Sequence, residues 1–327
     1  MRLGVKPVHK KRWLLLAVAA LGWFNAGVVW LIQFSCYPLW PYVGHSEFWN
    51  YHGVWWHSTW GVVFLPSVLA LVGSILLLRL APRALPRWSL WLGLGIEIAV
   101  QLLIVMWLWP LDRGVVSGTD GLNLFAYERL MVANWFRIGL VTAYAVLAYW
   151  MLSRDLWAGA RIARGQWVLL VTSALGLYAV GNVWLVQLVC YRLWPHVGQG
   201  EAFKYHIAWW HSIWGVLFGP SAIVVFGAVA LLWMRPANLN PRLVWFGLAL
   251  LALTSAGTAV WWAPLMARLV TPDGAMLLRD YALLMSTHWI RVVLITAYGI
   301  TYFFMLIKSA TALPGSRFMR FQNAAEA

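Results

Sequence analysis

Apolar runs recur along the chain at 13–36, 54–79, 89–110, 129–152, 167–190, 208–234, 243–266 and 283–307. Each is close to the roughly 20 residues with which an α-helix crosses the hydrocarbon core of a bilayer. Short polar or turn-rich stretches separate them. The pattern predicts an all-α, polytopic membrane protein of eight transmembrane helices.

The runs also keep register with one another. Tyr51-His52-Gly53-Val54-Trp55-Trp56-His57-Ser58 returns as Tyr205-His206-Ile207-Ala208-Trp209-Trp210-His211-Ser212, and the pairs His52/His206, Cys36/Cys190 and Arg137/Arg291 are all 154 residues apart. A constant separation over so much of the chain is the mark of a duplicated unit. Each unit holds four spans, so both have the same orientation and a pseudo-two-fold axis along the membrane normal is expected. The reading is of two tandem, parallel four-helix bundles. A basic N-terminus (1–12) is followed by the first repeat (13–152), a linker (153–166), the second repeat (167–307) and a tail (308–327). The first span follows a basic segment, as a signal peptide does, but its counterpart at 167–190 is internal and no small-residue cleavage site follows it. It is expected to be a retained helix.

Composition agrees: 62% of residues are hydrophobic, 10% are charged and 26 of the 327 are Trp, against about 25% charged in a soluble domain. The net charge of +14 is spread over alternate loops, with Arg2, Lys6, Lys10, Lys11 and Arg12, then Arg79, Arg83 and Arg87, then Arg154, Arg161 and Arg164, then Arg235 and Arg242, then Lys308, Arg317 and Arg320. A nucleic-acid groove would gather such residues on one face, so no nucleic-acid partner is expected. The positive-inside rule instead puts both termini in the cytoplasm, and the cytoplasmic (inner) membrane of a bacterium is the expected location. The outer loops 37–53 and 191–207 keep Tyr37/Tyr191, Trp40/Trp194 and Pro41/Pro195 and are expected to form structured caps. In the second pair, 111–128 and 267–282, Gly118, Gly121, Pro272 and Gly274 mark turns. Cys36 and Cys190 define no disulfide framework and are expected as buried thiols. The tryptophans suit an interfacial belt, or walls for a flat aromatic ligand.

Polar groups at membrane depth are functional candidates, because each costs several kcal/mol unless paired or hydrated. Gln33 and Gln187 lie near the outer ends of the first and fifth spans. His52 and His57, like His206 and His211, are five residues apart, which turns the two rings about 140° away from each other on a helix. They are therefore not expected to chelate one metal together; one of each pair faces the bundle and the other the cap. Arg137 and Arg291 lie roughly 12 Å down the fourth and eighth spans and are expected to point inward toward an anionic or carbonyl-bearing ligand. Asn134 in the first half is His288 in the second, on the arginine's helix face. Glu97 and Gln101 are matched by Leu251 and Ser255, and Glu97 is expected to be paired with Arg137 or held neutral.

The order Gln187, Tyr191, Tyr205-His206, Gly219-Pro220-Ser221, Pro264-Leu265 and His288-Trp289-Ile290-Arg291, with its first-half counterpart, resembles the small four-helix membrane proteins of the anthrone-oxygenase-like family. The resemblance spans about 13–307 as two copies. It implies cofactor-independent oxidation of polyketide anthrones, with His288 and Arg291, and Asn134 and Arg137, as proton-transfer and oxyanion-holding groups. The tandem fusion, the Trp-Trp-His element and the tryptophan content depart from that family.

The expected function is a membrane oxidoreductase or oxygenase acting on a lipophilic, aromatic substrate held in the outer half of the bilayer. His211, His288 and Arg291 are its catalytic candidates; Gln33, His52, His57, Asn134, Arg137, Gln187, Tyr191, His206 and Trp210 are candidates for binding. The cofactor stays open between none, haem and a metal, with His206, His211 and His288 as candidate metal ligands. Two alternatives stand beside this: a transporter or channel for a small solute, and a haem- or metal-binding membrane protein without its own catalysis.

Overall fold

The computed structural model describes residues 10–80, 82, 84–116, 121–157 and 162–310. Arg2, Lys6, Arg83, Gly118, Arg161, Arg317, Arg320 and the tail from 311 lie outside the described residues. Among the described residues the fold is all-α, with eight helices long and apolar enough to cross a membrane: α1 (Arg12–Tyr42), α2 (Phe48–Leu80), α3 (Arg87–Gly114), α4 (Leu124–Leu156), α5 (Arg164–His196), α6 (Ala202–Met234), α7 (Pro241–Ala267) and α8 (Leu278–Ser309). They fit an integral membrane protein. Helices α2 and α6 begin before Tyr51 and Tyr205, so the expected caps 37–53 and 191–207 are shorter than the sequence indicates. Both Tyr-His pairs are helical, and the buried Tyr51 and Tyr205 rings meet between the two halves.

Packing follows from which faces are apolar on both sides. Helices α1, α2, α3 and α4 close one ring of four, α5, α6, α7 and α8 another, and α1 packs along α5 between them. In their most apolar stretches α1 and α5 are 67% and 72% buried, against 22% and 17% for α6 and α7. The first pair is therefore the spine, and the second offers most of its surface to the surroundings as a lipid-facing helix does.

At the centre of the spine a Cβ on Gly27 would overlap the carbonyl oxygen of Tyr178, and one on Gly181 would overlap that of Phe24. Only glycine permits that approach. The two contacts are reciprocal, since Gly181 and Tyr178 are the residues 154 places after Gly27 and Phe24. Toward the end of the molecule carrying the 43–47 and 197–201 loops, here the cap end, further matched pairs meet. The Tyr51 and Tyr205 hydroxyls are 3.0 Å apart and the Cys36 and Cys190 sulfurs 3.3 Å apart, both thiols buried and free. At the opposite end Arg12 donates to Asp155 at 2.7 Å, tying α1 to α4.

Six of the helices are interrupted by a single π turn: Ile32–Cys36, Trp60–Phe64, Ile104–Leu108, Val186–Cys190, Trp214–Phe218 and Thr258–Trp262. They form three pairs again separated by 154, and only α4 and α8 run through unbroken. A π turn inserts one residue, re-aims the side chains beyond it and is frequent at functional sites.

Two outcomes test this frame. Gly27→Ala and Gly181→Ala should each destabilise the detergent-solubilised protein by about 1–3 kcal/mol through overpacking, reversing the ~1 kcal/mol advantage alanine normally has in a helix; SDS-titrated unfolding measures it. Diamide treatment of the folded protein should remove both alkylatable thiols together, whereas Cys36→Ser should leave one that still alkylates, as read by mass spectrometry under denaturing, non-reducing conditions.

Candidate functional site

The second half encloses a cavity of about 560 Å³ between α5, α6, α7 and α8, within the usual range for small-molecule sites. Its wall is mainly aromatic and aliphatic, with Trp209, Trp210, Trp214, Phe218 and Trp262 among the largest side chains. The π turns of α5, α6 and α7 contribute Val186, Trp214, Leu217, Phe218, Thr258, Ala259 and Trp262. All three breaks thus border the same space. The widened α6 turn is held by α5: the Val216 carbonyl accepts from the Tyr178 hydroxyl at 3.2 Å and from the Asn182 amide at 3.4 Å.

Into this apolar space project His288, Arg291, Asn182 and Tyr298. Gln187 fixes the state of His288. Its Nε2 donates to the Met285 carbonyl at 3.2 Å, which turns its Oε1 toward His288 Nδ1 at 2.8 Å. An amide oxygen only accepts, so Nδ1 must carry the proton and, in the neutral ring, Nε2 holds a lone pair; the tautomer is assigned from this network. The Tyr191 ring stands edge-on to the imidazole, 4.8 Å between centroids. Nε2 of His288 is buried without a partner, as are Arg291 Nε, Asn182 Oδ1 and the Tyr298 hydroxyl. Arg291 makes no ion pair among the described residues; its Cζ lies 5.9 Å from the centroid of the Trp262 ring.

The first half repeats the scaffold and closes the space. Gln33 donates to the Met131 carbonyl at 3.3 Å and accepts from Asn134 at 2.8 Å, as Gln187 does with Met285 and His288. The cavity beside Arg137 is only about 30 Å³. Trp109 fills the rest, packing at 5.2 Å on Trp56 and 6.4 Å on Trp60, where the second half has Ala263. Gln101 donates to Ser67 at 2.8 Å across α3 and α2; its counterpart Ser255 is too short to reach Ser221, and both line the open cavity. The first-half cavity carries an acid, Asp112, whose Oδ2 lies 3.3 Å from His52 Nε2.

The sequence-derived candidates separate accordingly. Tyr191, Trp210, His288 and Arg291 line the large cavity and Arg137 the small one. Gln33, Gln187 and Asn134 do not line either; they form the hydrogen bonds just described. His206 is buried and accepts the Trp210 indole N–H through Nε2 at 3.0 Å, so its basic nitrogen is occupied. His211 is a correction: it is exposed, on a shallow groove with Pro38, Leu39 and Tyr42, because the 140° helical offset that turns His206 inward carries His211 outward. His57 is likewise exposed and folds back on the Gly53 carbonyl at 2.7 Å. His206, His211 and His288 are thus not brought to one point, and among the described residues no three His, Cys, Asp or Glu side chains are grouped to hold a metal ion. Glu97 does not pair with Arg137; it is buried and makes no ion pair among the described residues.

Asn182, Tyr178 and Trp262 were not singled out by sequence. Aligning the halves holds the signal, since their counterparts Val28, Phe24 and Leu108 lack the polar atoms. No family model, curated protein or solved structure matches this chain.

Ala263→Trp, which copies Trp109, should fill the cavity and lower binding of a lipophilic fluorescent probe about tenfold or more, ~1.4 kcal/mol. Fluorescence titration in detergent checks it, with Trp109→Ala expected to add probe binding in the first half.

Proposed function

We propose that the chain is a membrane oxygenase-type oxidoreductase whose working site is the second-half cavity, and that the first half is a closed copy arising from duplication. The observation that carries this reading is that one cavity holds a lone-pair imidazole nitrogen and an unpaired guanidinium, His288 Nε2 and Arg291, within aromatic walls. Such a pair suits proton removal next to a carbonyl: the imidazole accepts the proton, and the guanidinium holds the oxygen on which negative charge develops. The substrate class is a lipophilic, aromatic ketone with an acidic CH2 group. Its carbanion reduces dioxygen, which is itself soluble in apolar surroundings. A C–O bond forms, and the hydroperoxide then loses water, so that CH2 and O2 give C=O and H2O. Gln187 is a positioning residue, holding the His288 tautomer in which Nε2 is free.

In this reading the basic ends of the helices face the cytoplasm and the cap end faces outward, with both halves in the same orientation. A haem- or metal-binding reading has one observation in its favour: Nδ1 anchored to a carbonyl oxygen with Nε2 free is also how a ligating imidazole is held.

His288→Asn separates these readings. It copies Asn134, which makes the same bond to its glutamine, so the fold should persist. Dioxygen consumption with an anthrone-type ketone should fall about 10²–10⁴-fold, the usual contribution of a general base. Undiminished turnover in the variant would sink the base assignment. A Soret band lost on the same substitution would replace it with haem ligation, and solute flux into proteoliposomes without oxygen consumption would replace the enzyme with a transporter.

A further inference from the structure

The two halves differ in what lines the cavity beside their buried arginine. In the first, Arg137 shares its small cavity with Asp112. A carboxylate and a guanidinium face the same enclosed space, with Tyr37 also in its wall. In the second, Met266 stands where Asp112 does, 154 residues on, and lines the large cavity together with Arg291. Among the described residues no Asp or Glu lines that cavity and Arg291 has no ion pair. The Trp262 ring face near its Cζ attracts a cation but carries no compensating charge.

A guanidinium in apolar surroundings demands a counter-charge or water. In the first half an acid lines the cavity of the arginine, its Oδ2 lying 3.3 Å from His52 Nε2, with no ion pair to Arg137 among the described residues. The second lacks that acid and, through Ala263, Ala259 and Ser255 in place of Trp109, Val105 and Gln101, has opened room beside the same arginine. Loss of the acid and gain of volume occur at one site, on one helix.

We infer that the cavity takes a monoanionic amphiphile, whose carboxylate or equivalent oxygen anion faces Arg291, while its apolar body packs on the tryptophans. Trp214 lines the cavity and is 58% exposed. This inference rests on the cavity being the ligand site but is independent of the oxidation chemistry, because it concerns the charge of what binds.

The test uses the full chain in detergent with cis-parinaric acid, a fluorescent carboxylic acid excited by energy transfer from tryptophan, against its methyl ester. The acid should bind at least about tenfold more tightly than the ester. Met266→Asp, which copies Asp112, should remove that preference, and Met266→Asn, of the same size without charge, should keep it. If Met266→Asp does not fold, Arg291→Gln provides the second arm and should also bring acid and ester level. Equal binding of acid and ester by the native chain would overturn the inference, as would a folded Met266→Asp or Arg291→Gln protein that still prefers the acid. A preference for the acid without any oxygen consumption would retire the oxygenase reading alone; turnover of neutral ketones with no preference for the acid would retire this one alone.

Discussion

The α1–α5 crossing is the contact on which the rest depends. Two glycines each receive a carbonyl of the opposite helix, at Gly27 against Tyr178 and Gly181 against Phe24. The contact is reciprocal and sets how closely the two helices approach. The Tyr51–Tyr205 and Cys36–Cys190 contacts lie toward the cap end of the same pair of halves. The crossing also leaves the remaining three helices of each ring on the far side, so each half has its own interior. Without hydrophobic driving force between helices in an apolar medium, close backbone packing of this kind is what holds them together.

Each interior is then shaped by three π turns. Such a turn leaves backbone groups out of the regular ladder, and in an apolar medium those must be satisfied inside the protein. In the second half Tyr178 and Asn182 do this for the Val216 carbonyl, and the same two side chains border the cavity. Structural and candidate chemical roles therefore coincide on α5. The contrast between halves comes down to side-chain volume and one charge: Trp109 and Gln101 close one interior, while Ala263 and Ser255 leave the other open around an arginine of the same register. The two interiors thus differ in volume, about 30 Å³ beside Arg137 and about 560 Å³ beside Arg291.

Much of the candidate site was legible beforehand because membrane depth makes any polar residue conspicuous. Gln187, His288 and Arg291 stood out for that reason, and the Asn134/His288 difference pointed to the second half. The histidines near the cap misled, since depth alone does not say which way a ring turns. His211 and His206 are equally prominent in sequence, yet one is exposed and the other is held by Trp210. Of the two expectations for Glu97, the pairing with Arg137 fails, because an acid and an arginine on neighbouring spans need not face each other; Glu97 is buried without an ion pair among the described residues.

By itself the sequence determined the number of the helices, through runs of apolar residues matched to bilayer thickness, and the 154-residue register of polar positions, through simple recurrence. Both are properties of one segment or of two compared segments. Tertiary structure alone decided the cavity. Its volume is what remains when side chains from four helices, distant along the chain, converge, and replacing Trp109-like bulk by Ala263 has no meaning until α7 is set against α6. It also decided the free nitrogen of His288, because that lone pair exists only when Gln187 of another helix presents an acceptor to Nδ1. Local pattern specifies which side chains are present; packing specifies which of their atoms are left without a partner.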